Sequence, residues 1–148
     1  MKIKQKKHKG ITLIEVIIVV AIIGIISALG FELLGNARRD NNYKIACEMA
    51  ASQINKTKNY SLTGKTVDGA TPNKFKITMS GSTIVISGLT GGTETPLETV
   101  SLPGGTSFSG AFVEEYVVPY GGINNAMDVT FSDSSRYVDV SGFRALCR

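Results

Sequence analysis

The stretch Lys9-Gly10-Ile11-Thr12-Leu13-Ile14-Glu15-Val16-Ile17-Ile18-Val19-Val20-Ala21-Ile22-Ile23-Gly24-Ile25-Ile26-Ser27-Ala28-Leu29-Gly30 decides the architecture of this chain. Residues 1–10 carry Lys2, Lys4, Lys6, Lys7 and Lys9 and no acid, whereas residues 11–30 carry a single charge, Glu15. A helix over 11–30 is roughly 30 Å long at about 1.5 Å per residue, enough to cross the hydrocarbon core of a bilayer. The lysine-rich flank is expected to stay in the cytoplasm, which places everything after Gly30 outside it.

The junction Gly10-Ile11-Thr12-Leu13-Ile14-Glu15-Val16 and the Ile/Val run behind it resemble the leader and N-methylation segment of the type IV pilin and type II secretion pseudopilin superfamily. The resemblance implies a structural subunit and not an enzyme. It also implies cleavage by a prepilin peptidase between Gly10 and Ile11, N-methylation of Ile11, and registry between subunits through Glu15. Further implied partners are other pilin or pseudopilin subunits, the membrane platform of an assembly machine, and membrane lipid before assembly. The implied location is the inner membrane with the C-terminal domain outside the cytoplasm, then a pilus or pseudopilus. In this chain Ile11 stands where the family usually has Phe, Gly24 matches a helix-weakening glycine, and no proline precedes Pro72.

Physics gives Glu15 a role of its own. A carboxylate in a membrane-spanning helix costs on the order of 2.5–3.5 kcal/mol near the centre and less toward the interface. The amino group freed at Ile11, its own or a neighbouring subunit's, is the expected partner in a low-dielectric filament core. A Glu15 that reaches water at the headgroups is the alternative.

The chain has 148 residues and a formal net charge of +4, but five of its 16 basic residues lie in 1–10, leaving 11 against 12 acids, a net of −1. Nucleic acid is therefore not expected as a partner, although Lys56, Lys58, Lys65, Lys74 and Lys76 offer a local basic patch. The length allows a leader at 1–10, a membrane or filament-core helix at 11–30 and one extracytoplasmic domain at 31–148.

The helical pattern is expected to continue to about Tyr60. Ala46, Met49, Ala50 and Ile54 share one face, and Lys44, Glu48, Lys56 and Lys58 form a wet one. Residues 61–73 read as loop. The period then drops to two. Phe75, Ile77 and Met79 alternate with polar residues, and a Gly81-Ser82 turn leads into a second strand, so 74–87 reads as a β-hairpin. Residues 127–132 and 136–141 read as a second hairpin around Asp133-Ser134-Ser135, and further strands are expected at 97–102, 107–112 and 116–118. The expected fold is α+β, a long N-terminal helix packed on a C-terminal antiparallel sheet. A hairpin soon after the helix, the Leu102-Pro103-Gly104-Gly105 turn, the Val129-Thr130-Phe131 strand and a last strand after Gly142-Phe143-Arg144 resemble the minor pseudopilin H and FimT type.

Cys47 and Cys147 are an even pair, which in an oxidising exterior suggests a disulfide tying the last strand to the helix; two unpaired thiols are the alternative. Catalytic chemistry is not expected. The one histidine, His8, lies in the leader, which leaves no Ser-His or Cys-His pair and no histidine metal ligand. Glu114-Glu115 point to opposite faces of a strand and suit solvation or an edge, Asp133-Ser134-Ser135 suits a turn better than a calcium loop, and no cofactor motif is present. Two other readings stay open: signal-peptidase cleavage after Ala28-Leu29-Gly30, releasing a soluble secreted domain, and an uncleaved single-pass anchor displaying a binding domain.

Overall fold

The structure, a computed structural model, describes residues 12–123, 128–140 and 144–148, with the backbone alone at 29, 32, 33, 122 and 123. Its elements are a helix α1 (Leu13–Thr63) and strands β1 (Lys74–Ser80), β2 (Thr83–Thr90), β3 (Thr93–Ser101), β4 (Phe112–Val117), β5 (Gly122–Ile123), β6 (Val129–Thr130), β7 (Tyr137–Asp139) and β8 (Leu146–Cys147). Contacts divide the chain into two units, 1–38 and 39–148.

The second unit is α+β, with the α1 residues from Arg39 onward packed on antiparallel sheet. Tyr43, Ala46, Cys47, Ala50, Ile54, Thr57 and Ser61 recur at three- and four-residue spacing and are all buried, so they form one stripe of the helix. Alanine dominates its middle, which lets the helix axis approach the sheet closely. The buried hydroxyls of Thr57 and Ser61 donate to the helix's own carbonyls, at Gln53 and Lys58, and so need no partner in the sheet.

Facing this stripe is a five-stranded sheet in the order β3-β2-β1-β4-β5. Alternation puts Phe75, Ile77 and Met79 of β1, Ile84 and Ile86 of β2, and Phe112 and Tyr116 of β4 on the inner face. The β1–β2 hairpin turns at Gly81-Ser82 as its sequence predicts, and β2 continues past Ser87 to Thr90. Gly91 and Gly92 then close the β2–β3 hairpin with φ of 59° and 89°, a pair of left-handed residues that matches the twist of the strands they join. Gly88 serves close approach instead, since a Cβ there would lie 3.0 Å from Cγ of buried Pro72.

A second sheet, in the order β6-β7-β8, adds Val129, Val138, Val140 and Ala145 to the same core. Phe131 joins the two parts, its ring 5.1 Å from Phe108 and 6.3 Å from Tyr43 in an edge-on contact. The predicted hairpin at 127–141 is present as β6 and β7, paired Val129 to Val138; Met127 and Ser141 lie outside the described residues.

Three expectations need correction. Residues 107–112 do not form a strand: Phe108 N–H bonds to Gly81 O, while Ser109 N–H bonds to Thr130 O. Successive residues therefore serve two different sheets, and only the single bridge Phe108–Phe131 forms before β4 begins at Phe112. Residues 97–102 start too late, because β3 begins at Thr93 and runs through Pro96 with a bulge opposite Ile86/Ser87. Finally, Glu114 is not a solvated or edge residue, because β4 lies between β1 and β5 and its inward register carries Phe112, Glu114 and Tyr116 together, leaving Glu114 only 3% exposed.

Candidate functional site

Thr12 starts the helix. Its carbonyl accepts from Glu15 N–H (3.1 Å) and Val16 N–H (3.3 Å), and its Oγ1 accepts a longer bond from Glu15 N–H at 3.4 Å. Thr12-Leu13-Ile14-Glu15 thus has the Thr-x-x-Glu spacing of a capping box, with Thr12 at the cap and Glu15 at the third helical position. The sequence reading passed over that spacing, which gives Glu15 a second, local role, since a carboxylate in a helix's first turn is favoured by the helix dipole. Glu15 is exposed, and Gly10 and Ile11 lie outside the described residues.

From Val16 to Ile26 the helix has no polar side chain on any face. Leu13 is 81% exposed, and Ile14, Ile25 and Ile26 about two-thirds, with Val16, Ile17, Ile18, Val19, Val20, Ile22 and Ile23 each half-exposed or more. A helix that is apolar all round is one built to be covered on all sides, by lipid or by other helices. Among the described residues no helix is long and apolar enough to cross a membrane: side chains are described without a gap over 13–28, about 24 Å of helix against the ~30 Å hydrocarbon core.

Cys47 and Cys147 are joined, with Cα atoms 5.5 Å apart. Eight residues further along α1 a second tie appears that the sequence reading missed. Asn55 Nδ2 donates to Ala145 O (3.0 Å) and Asn55 Oδ1 accepts from Ala145 N–H (2.9 Å). The C-terminal strand is thus held to the helix by one covalent bond and one two-armed carboxamide. No sequence signal marks Asn55, since exposed helical asparagines are common and its partner is backbone.

The lysines singled out as a basic patch do not form one. Lys74 lies 2.8 Å from Glu115, Lys76 lies 2.8 Å from Glu94, Lys56 bonds Glu98, and Lys65 sits over the Tyr60 ring at 3.9 Å. Lys56 thus keeps a partly exposed side chain while its ammonium reaches Glu98 of β3. The hydrogen bond it donates to Glu98 pushes the Lys56 ammonium above its ordinary range, and bonds from Lys76 and Ser87 hold the Glu94 carboxyl below the usual one. Burial, followed by the neighbouring Glu114 charge, pushes the Tyr116 phenol up. Its hydroxyl is buried with no hydrogen-bond partner among the described residues.

Asp133 takes a left-handed turn (φ 57°), Ser134 Oγ accepts from Arg136 N–H (3.1 Å), and the Asp133 carboxylate pairs with Arg39 at 3.3 Å. The segment is a turn pinned to the helix. Among the described residues no group of three His, Cys, Asp or Glu side chains is placed to hold a metal ion.

Residues 5–31 match the family model described as the prokaryotic N-terminal methylation motif. Neither a curated protein nor a solved structure matches the chain. The motif covers the second half of the lysine-rich tail, the Gly10–Ile11 junction, the Thr12–Glu15 cap and the apolar helix up to Phe31. Through this segment the chain is recognised as similar to the type IV pilin and pseudopilin superfamily, whose members are structural subunits.

Proposed function

We propose that this protein is a minor pilin or pseudopilin, held in the membrane by its first helix until an assembly machine moves it into a filament. The observation that carries the reading is a helix apolar on every face, capped at Thr12 one residue past the proposed cleavage bond. Each of its exposed isoleucines gains roughly 1–2 kcal/mol on being covered, taking about half or more of the ~1.5–3 kcal/mol for full burial. Lipid covers them before assembly and the helices of neighbouring subunits afterwards.

In this reading a prepilin peptidase cuts between Gly10 and Ile11 and methylates Ile11. Glu15, one helical turn away, then pairs with the amino group of Ile11 on its own or an adjacent subunit. Residues 11–30 are the membrane and filament segment and 31–148 the external domain. The hairpin-rich domain with its mid-domain Leu102-Pro103 turn favours a minor over a main structural subunit. Release by signal peptidase after Gly30 is less compatible with the structure, where 28–30 are helical.

Intact-mass and N-terminal peptide analysis of protein from its native membrane or filament fraction tests the proposal. A chain beginning at methylated Ile11 supports it, whereas a chain beginning at Phe31 or retaining 2–10 overturns it. Replacing Glu15 by Gln tests the pairing separately: unchanged incorporation into filaments rules it out.

A further inference from the structure

The two ends of the Cys47–Cys147 bond have different surroundings. Cys47, on α1, is 0% exposed, and Tyr43, Ala46 and Ala50 of the same helix stripe are buried with it. Cys147, on β8, is partly exposed and, together with Glu48, Ser52, Asn55, Lys56 and Leu146, lines a cavity of about 540 Å³. A disulfide is broken by a thiolate that attacks one of its sulfurs, and access decides which one. Cys147 is the end of the bond at the cavity, and Cys47 is the end in the core.

We propose that Cys147 is a thiol-exchange site: a thiol from outside forms its mixed disulfide at Cys147 and not at Cys47, and the internal bond opens and closes through that intermediate. On opening, the external thiolate makes a new S–S bond to Cys147 Sγ as the Cys47–Cys147 bond breaks. The electron pair of the broken bond leaves on Cys47 Sγ, which takes a proton from water. A second thiolate then attacks the external sulfur of the mixed disulfide and frees Cys147 as a thiolate, so that two external thiols are oxidised to one disulfide and the internal bond is reduced to two thiols. Closing runs in reverse: the Cys147 thiolate attacks an external disulfide, and the Cys47 thiolate then displaces the external thiol from Cys147. Both directions find their groups in place. Cys47 Sγ lies 3.4 Å from Tyr137 O, so the freed thiol has an acceptor. The Asn55 carboxamide on Ala145 and the backbone pair Tyr137–Arg148 bracket Cys147 in sequence and hold it beside Cys47 when the bond is open, which makes the closing step intramolecular. None of this depends on the filament reading.

The test uses the full chain in neutral detergent micelles, as two variants that each keep one thiol, Cys47→Ala and Cys147→Ala, reacted with oxidised glutathione and followed by intact mass. Cys147 in the Cys47→Ala chain is expected to react roughly tenfold or more faster than Cys47 in the Cys147→Ala chain, and in concentrated guanidinium the two rates are expected to come within about threefold of each other. Equal rates in micelles, or a faster Cys47, overturn the site. A gap of the same size in guanidinium also overturns it, because burial is then not the source. The unsubstituted chain supplies a readout that needs no variant to fold. After brief exposure to reduced glutathione and an acid quench, peptide mass analysis is expected to find glutathione on the Cys147 peptide. Glutathione on the Cys47 peptide overturns the proposal, as does a bond that stays intact in micelles under treatment that opens it in guanidinium.

Discussion

Replacing both cysteines by alanine isolates the contribution of the bond between them. The Cys47–Cys147 bond closes a loop with a sequence separation of 100, nearly all of the second unit. In the chain-entropy model such a loop removes about 16 cal/mol/K from the unfolded ensemble, or ~4.7 kcal/mol at 25 °C. Cys47 is fully buried and Cys147 half-buried, so alanine is the smaller perturbation at position 47, where serine would bury a hydroxyl. With a urea slope of about 1–3 kcal/mol/M, the Cys47→Ala/Cys147→Ala variant is expected to unfold at a midpoint lower by roughly 1.5–5 M. Tyr43 and Tyr116 are buried and the chain has no tryptophan, so near-ultraviolet tyrosine dichroism in micelles reports the domain and not the apolar helix. The slope itself is expected to rise, because the uncrosslinked chain exposes more surface. A midpoint shift equivalent to less than about 1 kcal/mol, with unchanged slope, would refute the reasoning, and would mean that the noncovalent ties already hold the terminus in the unfolded ensemble or that the loop is not the source of stability.

Asn55→Ala is expected to cost about 1–3 kcal/mol by the same assay, because both backbone groups of buried Ala145 lose their partners. Thr12→Ala removes the cap and is expected to lower helicity at the first turn by about 0.5–2 kcal/mol, read by amide exchange of Glu15 and Val16. Ile22→Lys places a charge mid-way along the apolar run and is expected to cost roughly 2.5–3.5 kcal/mol of membrane insertion, measured by carbonate extraction. Stability should also fall on both sides of a plateau. Glu94 titrates lower in the fold than in the unfolded chain, so its contribution is present above about pH 4.5 and is lost as pH falls through the folded value; Glu94→Gln should flatten the acid limb by under about 1 kcal/mol, since the pair lies at the surface. Tyr116 titrates higher in the fold, so stability is intact below about pH 10 and drops above it by up to ~1.4 kcal/mol per pH unit, a slope that Tyr116→Phe should reduce.

Periodicity carried most of the fold. The stripe Ala46-Ala50-Ile54 and the alternation in 74–87 and 129–138 predict the right elements because each buries one face against one neighbour. It failed where residues serve two neighbours: 107–109 alternate between sheets, and no single-period pattern encodes that. Glu114 misled for a related reason, since two adjacent acids on opposite faces of a strand read as an edge, whereas strand order is a property of the whole chain. At the candidate site the short motif is written in contiguous residues and was legible. The lysines were not, because their partners Glu94, Glu98 and Glu115 come from other strands and become neighbours only after folding.

The Asn55 carboxamide offers Ala145 one acceptor and one donor, which is what a neighbouring β-strand would have offered the same residue. At this residue the margin of the small sheet is sealed by the protein's own side chain. The outer margin of the large sheet is blunted differently, by Pro96 and the bulge in β3. A molecule concentrated in a membrane or stacked with many others risks fusing through its β-edges into aggregates that no assembly machine could reverse. At Ala145 and along β3, pairing with the edge of a second copy is therefore disfavoured by the chain itself.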